Sequence, residues 1–444
     1  MNKIKSLSES SFLKLVFAFF SAAFLIAAFC MPDRADMISG LWQIVSQPSK
    51  LTCNYFAVGG YAATFLNMAL VGASCLALFI LFKTTVNNVS TLAFILTLGF
   101  CSWGINILNI WFSILGVVLY GLVKKEKLGG LVNAMLFSTG IAPLITDLMI
   151  RYPNAEAVGF NVPGILLALF VGIVIGFFLP AGLAHSPKVH KGFDLYSAAL
   201  PIGMTSFFLN AALFKTLGVD LPAGAAAADL QVADPVIVNS FCCILFGLCV
   251  VFAFALGCKP KDYWTLLTDP DQVSSFSGKY GNAVMLMNVG VYGLFILGYY
   301  NLVGATFNGV TMGVVFCMLA CCNSGSHPGN VWPIMLGYVG ASYLFGWIST
   351  LVGGSFAQAA SAQAIVVGLC YANGLSPITD KYGWKFGVLA AVMHYLLVTS
   401  VPSLHGGFCL YNGGFTAALI CIILVPELER FFKTKDEKNA LKAK

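Results

Sequence analysis

One sixteen-residue stretch occurs twice in this chain, and that repetition constrains the fold more than any other feature of the sequence. Cys322–Gly337 reads CNSGSHPGNVWPIMLG and Cys101–Gly116 reads CSWGINILNIWFSILG; at a single gapless offset they share six of sixteen positions. Asn67 and Gly72 fall on Asn288 and Gly293 at the same offset, as do Asn87 and Val89 on Asn308 and Val310. Further on, TGIAPLITD (Thr139–Asp147) answers NGLSPITD (Asn373–Asp380) with one residue slipped. HKGFDLY (His190–Tyr196) then answers HGGFCLY (His405–Tyr411), identical at five of seven positions. Matches in the same order along both halves mean an internal duplication, with a period far too long for a solenoid.

The duplicated unit is built for lipid. Of 444 residues, 59% are hydrophobic and 9% charged, against about 25% charged in a soluble domain. Apolar runs of roughly 20 residues, the length that crosses a bilayer, recur at 11–31, 55–82, 128–150, 164–184, 192–214, 235–257, 281–303, 354–377, 385–401 and 407–425. The first run reads as a retained crossing, since Ala28-Phe29-Cys30 fits a signal-peptidase site poorly. The net charge of +6 carries no nucleic-acid signal, because the basic residues sit in short loops and a tail.

Lys and Arg collect in cytoplasmic loops. With the N-terminus inside and each run crossing once, 20 of the 24 basic residues are cytoplasmic; only Arg34, Lys50, Arg151 and Lys215 are outside. Both termini are then cytoplasmic, and a multi-pass protein of the bacterial inner membrane is expected. Lys83 and Lys124, Lys125 and Lys127 lie on one side, so 84–123 must leave and return. Its first arm, Val89–Trp103, has 15 residues, about 22 Å of helix. A re-entrant hairpin is expected, with two thin full crossings as the alternative.

The expected fold is an all-α polytopic membrane protein of two inverted repeats, each with five transmembrane helices and one re-entrant helical hairpin. Residues 1–10 form the cytoplasmic N-terminus, 11–215 and 235–430 the repeats, 216–234 an outer flexible linker, and 431–444 the cytoplasmic tail. Within PKDYWTLL in the inner loop a short interfacial helix is expected. Cys30 and Cys53 flank the first outer loop as a candidate disulfide; the other cysteines read as packing residues.

In inverted-repeat channels and carriers, broken elements build the solute site near the midplane. Asn109 and Asn330 are the first candidates for solute binding, each offering donors and acceptors, with helix capping as the competing role. Ser102, Asn323, Ser324 and His327 complete the substrate-binding candidates. The two tips are expected to meet, both amides facing one polar cavity. Gly-x-x-Pro in each TGIAPLITD-type motif breaks a crossing and frees carbonyls. Thr146, Asp147, Thr379 and Asp380 follow and are the candidate ligands for Na⁺ or a proton, although both carboxylates could also sit at the interface. His190 and His405 are read as loop histidines with a shared local role, His394 as a core histidine, and Tyr196 and Tyr411 as interfacial anchors or site residues.

The second copy ends LYNGGFTAALICIILVPELE (Leu410–Glu429). With the duplicated HxGFxLY, it resembles a family of bacterial polytopic membrane proteins carrying the domain-of-unknown-function label DUF1576, along essentially the whole chain. The resemblance implies the two-copy architecture and supplies no activity. The first copy departs from that ending, having Ser197-Ala198-Ala199 where the second has Asn412-Gly413-Gly414.

These readings converge on a transporter or channel for a small polar solute, similar in plan to urea-transporter-type channels. The implied partners are membrane lipids and the solute, with no nucleic acid; homo-oligomerisation is left open. No catalytic residue, metal set or cofactor is implied beyond Na⁺ or H⁺ coupling. The alternative is a membrane-embedded enzyme acting on a lipid or lipid-linked substrate, although no catalytic motif appears.

Overall fold

A computed structural model describes residue 4 and residues 6–48, 50–269 and 275–442; Lys3, Lys5 and Lys444 of the charge count lie outside them. All regular structure among the described residues is helical. The first copy contributes α1 (Glu9–Cys30), α2 (Tyr55–Leu81), α3 (Asn88–Phe100), α4 (Ile110–Lys124), α5 (Val132–Ser138), α6 (Ala142–Ile150), α7 (Val162–His190) and α8 (Ala199–Asn210). The second contributes α9 (Pro235–Ala255), α10 (Asn282–Leu302), α11 (Gly309–Leu319), α12 (Pro328–Leu351), α13 (Gln363–Ala372), α14 (Ser376–Tyr382), α15 (Trp384–Val398) and α16 (Asn412–Phe431). Each of these eight helices of the first copy thus has its counterpart eight labels later. Among the described residues, seven segments are long and apolar enough to cross a membrane: α1, α2, α5 together with α6, α7, α9, α10 and α12. The chain is a helical membrane protein.

Side-chain caps start several of these helices, because the first backbone N–H groups have no partner inside a helix. Asn87 Oδ1 accepts Ser90 N at the head of α3, and Asn308 Oδ1 accepts Thr311 N at the head of α11. Glycine marks the matched breaks. Gly60 and Gly281 both hold left-handed φ, +84° and +92°. At Gly60 the freed N–H groups of Tyr61 and Ala62 donate to the Asp33 carboxylate at 2.7 and 3.1 Å.

Small residues set the helix contacts, as expected where lipid removes the hydrophobic drive for association. α4 and α7 meet at Gly172 and Gly176, whose ideal Cβ atoms would strike Phe112 and the Ser113 carbonyl. Their counterparts α12 and α15 meet at Gly337, against Val388 and Ala391.

Three expectations change and one holds. The runs 192–214 and 407–425 become helical only at Ala199 and Asn412. Lys191, Gly192, Gly406 and Gly407 take left-handed φ, so a non-helical segment precedes α8 and α16. The linker 216–234 is tied down: Lys50 Nζ donates to Pro222 O, Arg151 to Asp220 O, and Asn54 Nδ2 to Asp229 O and Val232 O. Cys30 and Cys53 are free thiols, so no disulfide links them. Finally, PKDYWTLL forms the short helix Pro260–Thr268, as expected.

Candidate functional site

The two twin motifs build the same backbone lock at opposite ends of one helix pair. In the first, Asn67 Nδ2 donates to Cys101 O (2.7 Å) and Ile105 O (2.8 Å); in the second, Asn288 Nδ2 donates to Cys322 O (2.7 Å) and Ser326 O (3.0 Å). Asn109 Nδ2 donates to Gly104 O and its Oδ1 accepts Asn106 N; Asn330 Nδ2 donates to Gly325 O and its Oδ1 accepts His327 N. Asn106 Oδ1 accepts Leu108 N and Asn109 N in the turn before α4, and His327 caps α12 through Gly329 N. These bonds make Asn330 the capping-box partner of His327, and Asn109 makes the equivalent bonds with Asn106 in the turn before α4.

The tips do not meet. α3 and α11 run antiparallel in full contact, with Gly99 against Gly313, Cys317 Sγ 4.0 Å from Leu96 O, and Asn323 Nδ2 donating to Thr91 Oγ1. Ser102 of the first tip therefore lies at the base of α11, beside Gly309. Ser324 of the second tip donates to Asn88 O at the base of α3. Tip separation is about the length of an arm, roughly 20 Å for thirteen residues, so Asn109 and Asn330 share no cavity. Two bare glycines permit this close antiparallel packing, and with it each tip overshoots the other. The remaining candidates are also held: Ser102 Oγ donates to Gly99 O, and Asn323 Oδ1 accepts Ser277 N.

The ion-ligand candidates separate as well. Asp147 is ion-paired with Arg151 (Nε–Oδ1 2.8 Å), both side chains nearly fully buried. Arg151 also donates to Asn154 O and Asp220 O. Burial holds the nearby Lys50 below the ordinary ammonium range, a tendency that Asp147 opposes. Thr146 Oγ1 accepts Asn109 Nδ2 at 3.0 Å, and Asp380 Oδ2 accepts Asn330 Nδ2 at 2.7 Å. Thr146 and Asp380 are therefore the spatial counterparts. The one-residue slip that aligned Asp147 with Asp380 gives way to a gapless match. Asp147 is thus neutralised by a guanidinium, which replaces the expected open ion ligand. Thr379 Oγ1 is buried without a hydrogen-bond partner among the described residues.

Each Gly-x-x-Pro break receives the non-helical segment of the other copy. Leu195 N donates to Gly374 O at 3.0 Å, and Leu410 N donates to Gly140 O at 2.9 Å. The carbonyls freed by the breaks are thereby satisfied across the copies. Tyr196 and Tyr411 lie over Gly374 and Gly140, where a Cβ would fall 2.6 and 2.2 Å from the rings. The Tyr196 hydroxyl sits 2.9 Å from Cys317 O and 2.9 Å from Asn373 Oδ1. Both tyrosines are fully buried, which excludes the interfacial-anchor role. His394 is a satisfied core histidine, with Nδ1 2.6 Å from the Tyr338 hydroxyl and Nε2 2.8 Å from Gly413 O.

A cavity of about 470 Å³ opens beside the first non-helical segment. Its polar lining includes Asn88, Asn133, His190, Asp194, Ser197 and Ser324. Apolar walls come from Val89, Leu92, Phe137, Leu183 and Pro187. Of the sequence candidates for solute binding, only Ser324 reaches it. His190 Nε2 pairs with Ser197 Oγ at 2.7 Å, and His190 Nδ1 accepts Asp194 N at 3.3 Å. Asp194 Oδ1 accepts Tyr196 N at 2.9 Å, while Asp194 Oδ2 and Asn133 Oδ1 are buried without a hydrogen-bond partner among the described residues. Sequence reasoning passed over Asp194, although it is the one acidic residue in the duplicated HxGFxLY motif, opposite Cys409.

A family model matches residues 33–215 and 259–430, one block within each copy. The chain belongs to that family, described as a protein of unknown function (DUF1576). No curated protein and no solved structure matches it. Within this DUF1576 chain, the lock residues and the cavity residues predict different phenotypes. Asn330→Ala removes the donor to Gly325 O and Asp380, so a cost of roughly 1–3 kcal/mol in stability is expected. Any solute flux per folded molecule should be unchanged, which thermal unfolding and flux on the same preparation would check.

Proposed function

We propose that this DUF1576 protein is a transporter or channel for a small polar solute, built from two inverted five-crossing repeats with two re-entrant hairpins. The antiparallel pairing of counterpart arms α3 and α11 supports inversion, as does the crosswise docking of each non-helical segment on the other copy's break. The positive-inside bias then puts both termini in the cytoplasm and the cavity on the inner side. Each hairpin tip is tied to an Asn well inside α2 or α10, as expected of a segment that turns within the membrane.

The cavity carries the functional reading. Non-helical backbone at membrane depth is tolerated where protein or water surrounds it, and here it lines a pocket of solute size whose few polar groups converge between apolar walls. The site thus lies at the interface of the copies, walled mostly by the first and reached by the second through Ser324.

The test is osmotic swelling of proteoliposomes against urea, glycerol and methylammonium chloride. At least one solute should enter faster than into protein-free vesicles, and Asn133→Trp, which fills the cavity, should return that rate to background. No entry above background for any of the three would overturn the reading. So would an undiminished rate in folded Asn133→Trp.

A further inference from the structure

We infer that the inner cavity binds a small monovalent cation, held between the free carboxylate oxygen of Asp194 and the amide oxygen of Asn133. This deepens the transport reading and rests on the same cavity. Asp194 is 2% exposed and lines the pocket. Its Oδ1 is engaged by Tyr196 N, whereas Oδ2 has no partner among the described residues. A buried carboxylate lacking a cation or donor is strongly unfavourable.

The surroundings offer no protein cation to fill that place. Among the described residues no Lys or Arg lines the cavity, and the neighbouring Lys191 is turned to Glu429 at 2.5 Å. His190 is occupied on both ring nitrogens, by Asp194 N and Ser197 Oγ. Asn133, which lines the same cavity, adds a second acceptor, its Oδ1, without a partner among the described residues. Unfilled acceptors without a positive side chain suit either a metal ion such as Na⁺ or the N–H groups of an alkylammonium, and select against anions.

The geometry at Gly374 holds the segment that carries this carboxylate. A Cβ there would fall 2.9 Å from Asp194 Oδ1 and 2.6 Å from the Tyr196 ring. The break of the second copy therefore fixes the segment that carries Asp194. In the second copy the equivalent residue is Cys409, so the symmetric position lacks the charge.

Thermal unfolding of the purified full chain decides the matter, in NaCl, methylammonium chloride or choline chloride at equal ionic strength. Choline is the control, because its quaternary nitrogen is bulky and has no N–H. The midpoint of the wild type should rise by a few degrees in NaCl or in methylammonium over choline, as ligand binding to the folded state requires. A response to NaCl alone identifies a metal ion, and a response to methylammonium alone identifies the solute itself. Asp194→Asn should abolish the response. Asp194→Cys, which copies the second repeat, serves if the amide variant fails to fold. No rise in the wild type, or an equal rise in the variants, overturns the inference. Flux without cation stabilisation would sink this inference alone; cation stabilisation without flux would sink only the transport reading.

Discussion

Replacing Arg151 with alanine should destabilise the folded protein by about 3–5 kcal/mol, the cost of leaving one partner of a buried ion pair alone. Asp147 and Arg151 are 0% and 3% exposed, and the guanidinium reaches both carboxylate oxygens. Nearby Lys50 already donates to Pro222 O and stands within a connection rather than on the same helix. Arg151 also ties the backbone of Asn154 and Asp220, so its loss loosens the linker between the copies. Replacing the pair together, Asp147→Leu with Arg151→Met, should recover most of that stability, since a packed apolar pair often equals a buried ion pair. The double variant also separates two roles for Asp147. If the carboxylate only balances Arg151, flux in the double variant should match wild type per folded molecule. Flux lost from a stable double variant would restore Asp147 as an ion ligand.

Much of the architecture was legible because membrane helices announce themselves by length, and the duplication repeats its capping residues at one offset. Asn67 with Asn288 and Asn87 with Asn308 stood out as matches, and each pair proved to make the same bonds. The Gly-x-x-Pro breaks were legible for the same local reason, a missing N–H beside a residue without Cβ. What escaped was non-local. Residues 192–198, GFDLYSA, run into an apolar helix without a proline to mark the boundary, so the local sequence does not show that they are non-helical. Their conformation depends on Gly374 O accepting Leu195 N, a partner in the other copy. Asp194 was missed with them, because its free oxygen acquires meaning only once Gly374 and Tyr196 fix the segment. Hairpin depth was equally hidden: apolar arms that stop at the midplane and arms that slide past one another read alike.

How far the arms slide is set by two glycines, and Gly313→Ala should therefore be among the most damaging single-methyl changes in the chain. An ideal Cβ on Gly313 would lie 2.3 Å from Gly99 O, 2.5 Å from Ser102 Oγ and 2.6 Å from the Trp103 ring. The nearest of these is backbone and cannot rotate away, so α3 and α11 must part. Overpacking of this kind typically costs about 1–3 kcal/mol, sometimes more, and here the upper end is expected because both tips lean on the opposite arm. Gly99→Ala should behave alike, meeting Gly313 O and Cys317 Sγ at 2.6 Å. Helix propensity alone predicts the opposite sign, since alanine is favoured over glycine within a helix by about 1 kcal/mol. Gly340 supplies the control: it sits in α12 with nothing within 4 Å of its Cβ position, so Gly340→Ala should be neutral or mildly stabilising. Thermal unfolding in one detergent would compare the three. A Gly313→Ala protein as stable as Gly340→Ala would mean that the arms are not in backbone contact, and the overshoot of the two tips would fall with it.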